Sequence, residues 1–127
     1  MSETTENAQP RMMERIRLAV ELAEENQDAE ALSLLLALVA EFPREALAHA
    51  YLGWVFSRIG RHREAIEQGR AAIQLDPASE RASLLLFRIL WSSGEPQLAL
   101  GEMKRYVTIG NSEEYTRVMM ELNEIGS

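Results

Sequence analysis

Two histidines, His49 and His62, are the side chains of this 127-residue sequence whose type most often does proton-transfer or metal-binding chemistry. Either could act as a general base or a metal ligand, but both roles need company. A base needs a nucleophile and an orienting group, and a zinc site needs further donors on the same face. The sequence has no cysteine, which excludes thiolate ligands, thiol nucleophiles and disulfides. No glycine-rich phosphate loop occurs, and the acids are scattered over surface and cap positions rather than paired in apolar settings. Both histidines are therefore expected to be partly buried structural residues. The expectation is a protein that is not an enzyme, with no catalytic residue, metal or cofactor.

Composition narrows the partners. Hydrophobic residues make up 46% and charged residues 26%, an ordinary globular balance in one domain. Thirteen basic against 20 acidic residues leave a net charge of −7, which disfavours nucleic acid as a ligand. The segment Met1 to Pro10 is polar, carries Glu3 and Glu6, and lacks the basic start and apolar run of a signal peptide. It is expected to be a disordered tail, with the single domain over 11–127. The most apolar stretch, 29–42, is short and interrupted by Glu30, Ser33 and Glu41, so no membrane insertion is expected. A cytoplasmic location follows as an expectation.

The elements that must position any site are announced by a repeat. Pro43 and Pro77 stand 34 residues apart, and so do Ala31, Ala65 and Ala99. Leu18, Leu52 and Leu86 keep the same register, as do Leu22, Phe56 and Leu90. Gly60 and Gly94 mark one turn, with Asn26 as their counterpart; these residue types tolerate the left-handed conformation just past a helix end. Leu52, Gly53, Phe56, Gly60, Ala65, Ala72 and Pro77 fall at the offsets of the tetratricopeptide repeat (TPR), which this segment resembles. His49 replaces that pattern's first aromatic, and Gly69 replaces a bulky residue.

The resemblance implies an all-α superhelix: three helix-turn-helix repeats, over about 12–45, 46–79 and 80–113, and a C-terminal capping helix. Paired helices are expected over about 11–25 and 28–41, 45–59 and 62–75, and 79–93 and 96–108. The capping helix should span about 112–124, started by Asn111 with Glu114 and turning Tyr115, Val118, Met119 and Leu122 to one face. Pro43 and Pro77 suit the first turn of the helix that follows, with Asp76 as a candidate N-cap. The small residues Ala31, Ala65 and Ala99 let the two helices of each hairpin approach closely. Gly53 adds to this, whereas Phe87 at its matching site predicts different local packing.

In the family, the first helices line a concave groove that takes extended or helical peptides. By resemblance that lining is Met13, Ile16, Val20, Ala23 and Glu24, then Leu47, Ala50, Trp54, Ser57 and Arg58, then Arg81, Leu84, Arg88, Trp91 and Ser92. Two tryptophans and three arginines in an apolar lining suggest a partner protein whose bound peptide or helix is apolar and carries acidic residues. The set of groove residues that captures heat-shock chaperone carboxylates is not matched: Ile16, Val20, Tyr51, Arg81 and Leu85 occupy its positions, and only Arg81 has suitable chemistry. The layout is instead similar to the small three-repeat chaperones of type III secretion systems. The leading expectation is a protein–protein interaction scaffold, adaptor or chaperone-like module. The alternative is a self-associating subunit, a homodimer or larger, joined through the leucine-rich second helix. That helix has more apolar surface than one side needs, leaving Leu34 and Leu36 uncovered.

Overall fold

A computed structural model describes residues 5–126 of the chain, with side chains over 11–123. Among the described residues there are seven helices and no strand. They are α1 Thr5–Glu24, α2 Asp28–Glu41, α3 Ala46–Arg58, α4 His62–Leu75, α5 Glu80–Ser92, α6 Pro96–Val107 and α7 Glu113–Gly126. Three antiparallel hairpins, α1/α2, α3/α4 and α5/α6, stack in order into an all-α repeat solenoid, and α7 follows as the last layer. Residues 5–10 of the segment expected to be a disordered tail are helical in α1, and residues 1–4 lie outside the described residues. None of the described helices is long and apolar enough to cross a membrane.

The tight turn within each hairpin has one chemical cause, repeated at the sequence period. Asn26, Gly60 and Gly94 take left-handed φ values of 63°, 82° and 78°. Each helix end then closes with paired backbone bonds. The amides of Gln27, Arg61 and Glu95 donate to the carbonyls of Leu22, Phe56 and Leu90 at 2.8, 2.9 and 2.9 Å, while Asn26, Gly60 and Gly94 donate to Ala23, Ser57 and Trp91. This is the Schellman closure, which satisfies carbonyls that the helix end leaves orphaned.

The helix starts correct three expectations. Pro43 and Pro77 sit in the turns between hairpins, three residues ahead of α3 and α5, and stop the preceding helix rather than opening the next. Asp76 ends α4, and its Oδ1 accepts only from the Ala78 amide at 3.3 Å. The N-cap of α5 is Ser79, whose Oγ accepts from the Ala82 amide at 3.1 Å. Likewise Ser112, not Asn111, caps α7, with Oγ accepting from the Tyr115 amide at 3.1 Å. At both places the serine is the residue immediately before the first helical position, and its Oγ accepts from the amide three residues on.

Close approach holds the stack together. Ala31, Ala65 and Ala99 are fully buried. In the second hairpin a Cβ on Gly53 would lie 2.8 Å from the Ala65 carbonyl oxygen, and one on Gly69 would lie 2.8 Å from Leu86 Cδ1. Gly69, the departure from the repeat pattern, thus makes room for α5. Phe87 at the site matching Gly53 packs outward instead, edge-on to Tyr115 of α7 with ring centroids 5.7 Å apart. Leu34 is half-buried against the α1/α2/α3 core, which corrects its expected exposure; Leu36 is 48% exposed.

Repeat one presents a different outer face from its successors. Where repeats two and three bury or half-bury Ala48 and Ala82, Tyr51 and Leu85, and Val55 and Ile89, repeat one exposes Glu14, Arg17 and Glu21. Leu18 is 48% exposed, against 1% for Leu52 and 4% for Leu86. A polar outer face is what a terminal repeat carries in a solenoid.

The glycines generate a paired test. Gly53→Ala forces backbone apart and should cost ~1–3 kcal/mol in urea denaturation. Gly101→Ala in α6, where a Cβ would meet nothing within 4 Å, should be neutral or stabilise by ~0.5–1 kcal/mol. Equal effects would show that the close contact at Gly53 does not limit packing.

Candidate functional site

The concave side holds one well-formed pocket, of about 490 Å³. Helix α3 contributes Trp54, Ser57 and Arg58; α5 contributes Phe87, Arg88, Ile89, Trp91 and Ser92; α7 contributes Val118, Glu121 and Leu122. A cavity of about 440 Å³ adjoins it between α5 and α7, lined in part by Leu84, Arg88, Glu114 and Arg117. Both tryptophans and two of the three expected arginines therefore meet at one place.

Two aromatic groups line this pocket. Trp91 is 44% exposed and stacks on Phe87 at 5.7 Å with planes 22° apart. Trp54 is half-buried and meets Tyr51 edge-on at 6.2 Å. The Arg58 guanidinium lies 5.3 Å over the Trp54 ring. Its Nε donates to Asp28 Oδ1 at 2.9 Å and its Nη2 to the Ala23 carbonyl at 2.6 Å. Arg58 therefore ties repeat one to the Trp54 ring while also lining the pocket. Arg88 is 62% exposed at its side chain and keeps only a loose pair, Nη2 to Glu114 Oε2 at 3.9 Å. It is the cation the pocket can offer.

The other expected groove residues lie elsewhere. Ile16 is 3% exposed and belongs to the α1/α2/α3 core, with Val20 and Leu47 half-buried against it. Leu84 is 5% exposed and reaches only the adjoining cavity. Met13 and Arg81 are exposed, but neither lines the pocket. The lining is thus concentrated in repeats two and three. Sequence reasoning missed Phe87 and Ile89 of α5, and it missed Val118, Glu121 and Leu122 by treating α7 only as a cap. A signal existed: Ser112 stands to Tyr115 as Ser79 stands to Ala82, so α7 starts like the first helix of another repeat.

A buried polar cluster fixes that α7 wall. Ser83 on α5 is fully buried, and its Oγ donates to Glu102 Oε2 of α6 at 2.6 Å. With the Ser83 proton spent, the Tyr115 hydroxyl of α7 must donate to Ser83 Oγ, at 2.7 Å. Arg105 grips Glu102 through Nε at 2.9 Å and Nη2 at 2.7 Å, and its Nη1 donates to the Pro77 carbonyl at 2.9 Å. Burial pushes the Tyr115 hydroxyl well above the ordinary tyrosine value, and the Glu102 charge adds to this. The hydrogen bonds to Glu102 raise the Arg105 guanidinium by favouring its charged form, against the opposing effect of burial.

The histidines are structural contacts. His49 Nε2 donates to the Pro43 carbonyl at 2.8 Å while Nδ1 meets the Gln68 amide at 2.7 Å, joining a turn to α4. His62 is exposed rather than partly buried, with Nδ1 3.1 Å from Ser93 Oγ. Neither lines the pocket.

A family model for the tetratricopeptide repeat matches residues 16–80 and 60–114. The chain belongs to the tetratricopeptide repeat family. Three solved structures resemble it in fold. The type III secretion translocator chaperone SycD of Yersinia enterocolitica superposes with a TM-score of 0.71 at 17% identity, over 89% of this chain and 86% of that one. MamA from Desulfovibrio magneticus RS-1 gives 0.67 at 23% identity over 77% of this chain, which spans 55% of MamA. The second TPR of Spaghetti (RPAP3), bound to the HSP90 peptide SRMEEVD, gives 0.66 at 16% identity, over 78% and 92%. These likenesses are of fold. No match was found among curated proteins.

The cluster makes a prediction about α7. Because the folded state holds the Tyr115 proton more tightly than the unfolded chain does, stability should be full below about pH 10 and fall as pH rises beyond it. Tyr115→Phe should cost ~1 kcal/mol at neutral pH and flatten that alkaline loss. Denaturation curves at neutral and alkaline pH measure both, and an unchanged alkaline slope would remove Tyr115 as its source.

Proposed function

We propose that the protein is an interaction module that holds a segment of a partner protein in the pocket formed by α3, α5 and α7. The observation that carries this reading is the convergence of Trp54, Trp91 and Arg88 from two successive repeats on one apolar pocket closed by α7. The preferred segment is apolar, with a bulky side chain seated between the two tryptophans and an acidic residue beside Arg88. Tryptophan and arginine in a desolvated pocket are the residue types that dominate binding energy. The lining offers serines and a carboxylate but no histidine beside them, so it suits holding rather than transforming a ligand.

Structural likeness supports an adaptor or chaperone-like role. SycD has been solved with a peptide of the translocator YopD, at a TM-score of 0.71 to this chain and 16% identity. The RPAP3 repeat domain was solved with a peptide as well. Both partners are polypeptides, which is the ligand class proposed for this chain.

Trp91→Ala with Arg88→Glu should lower affinity for the partner by about 2 kcal/mol or more, since both side chains are exposed and truncation leaves the core intact. Affinity capture from the source cells followed by mass spectrometry, with wild type beside the variant, provides the measurement. A partner held by wild type and lost by a variant of unchanged helicity supports the reading. Recovery of the same partners by both would overturn it.

A further inference from the structure

Phe87, Arg88, Val118 and Glu121 line both the main pocket and the cavity that adjoins it, so the two form one continuous trough. Leu84, Glu114 and Arg117, from the earlier turns of α5 and α7, line only the smaller cavity; Trp91 and Leu122, from the later turns, line only the larger. The two helices therefore run in the same sense along the trough, which covers ~10 Å between Leu84 and Trp91 at 1.5 Å per residue. Its tryptophan end is apolar. Its other end carries an arginine on each wall, Arg88 on α5 and Arg117 on α7. We propose that these two arginines form a seat for one carboxylate of the bound segment, with Glu114 as the internal acid that this carboxylate displaces. The seat rests on the concave pocket being a holding site, and it decides which segments are held.

The cations are the groups this end leaves unspent. Arg117 is exposed and forms no ion pair with another described residue. Arg88 has only Glu114, at 3.9 Å. Glu114 can release Arg88 at little cost, because it lies in the first turn of α7, where the helix N-terminus already stabilises a negative charge. A carboxylate entering between the walls can then accept from a guanidinium on either side, which fixes its orientation as well as its position.

The same lining limits how much negative charge the seat accepts. Glu114 and Glu121 stand in the cavity with the two arginines, so its fixed charges cancel before a ligand enters. One carboxylate meets both cations at contact. A second, on the next residue of the segment, would meet the two glutamates, and like charges brought together reject a wrong partner. The chemistry selected is a lone acidic residue beside a bulky apolar anchor, not an acidic run.

A displayed library of random short peptides, selected on the purified protein, supplies the probe. The expected winners carry a bulky apolar residue and one Asp or Glu at a constant offset from it, with acidic runs depleted. One tryptophan-free winner is then synthesised in two forms, with its acidic residue intact and replaced by the amide. The chain's two tryptophans, Trp54 and Trp91, both line the trough, so intrinsic fluorescence reads the titrations. Arg117→Gln and the peptide's amide replacement should each weaken binding about 5-fold, and the two together no more than either alone. Glu114→Gln should tighten the acidic form and leave the amide form unchanged. Winners with an apolar anchor but no acidic preference, or with an enriched acidic run, overturn the seat and leave the holding site standing. So does an Arg117→Gln loss that is equal on both peptide forms, or a Glu114→Gln variant that does not bind the acidic form more tightly. A library that yields no binder overturns the holding site and the seat with it.

Discussion

The joint between the second and third hairpins depends on one side chain filling the space that two absent ones leave. Ile89 Cδ1 lies 3.1 Å from where a Cβ would stand on Gly53 and 3.4 Å from one on Gly69. That contact needs α3 and α4 close enough for the Gly53 position to press on the Ala65 carbonyl, and α5 close enough to enter the gap. The groove inherits its width from this joint. Trp54 adjoins Gly53, and Trp91 stands two residues past Ile89, so the spacing of the pocket walls follows from how deeply Ile89 sits. Packed interiors transmit such displacements because they have few voids to absorb them.

The third wall is set by polar chemistry. Tyr115, Val118 and Leu122 give α7 an apolar side, but apolar contact alone would tolerate a slide along α5. The Tyr115 hydroxyl accepts only one position, because Ser83 is fully buried and its proton is already directed to Glu102. Glu102 in turn would be costly to bury without the two Arg105 bonds. Among the described residues no buried side-chain nitrogen or oxygen lacks a partner. A satisfied cluster of this kind defines register even where an apolar replacement could match it in stability.

Much of this architecture was legible in the sequence because it is periodic. The left-handed turns at Asn26, Gly60 and Gly94 and the small residues at Ala31, Ala65 and Ala99 recur at fixed spacing, and each has a conformational or steric reason to recur. The convergence of the tryptophans could be anticipated because they share a helix face in successive repeats. What escaped was everything that depends on a particular neighbour. Ser83 and Glu102 look like surface residues of an amphipathic repeat until Tyr115 arrives from α7. The bonds of Arg58 to Asp28 and to the Ala23 carbonyl likewise appear only once repeat one is packed against α3. Ile16 and Leu84 share their register with Ala50, and all three are buried, so that helix position faces the core in every repeat rather than the groove.

Two arginines of one pocket thus do different work, and the difference says how binding energy and selectivity are divided. Arg58 spends its hydrogen bonds on the fold and lays its guanidinium on Trp54, so one face of that ring is held before any ligand arrives. A wall ordered in advance loses less side-chain freedom on binding, which leaves more of the contact energy to appear as affinity. Arg88 is left exposed on the other side, with Glu114 too distant for a strong pair. A ligand carboxylate that approached to hydrogen-bonding distance would replace a loose partner with a close one. The protein's net charge of −7 opposes acidic ligands at long range, yet that field is screened beyond ~8–10 Å at physiological salt. Selection for an acidic residue is therefore decided by Arg88 at contact, and the tryptophan walls decide whether the segment stays long enough for that contact to form.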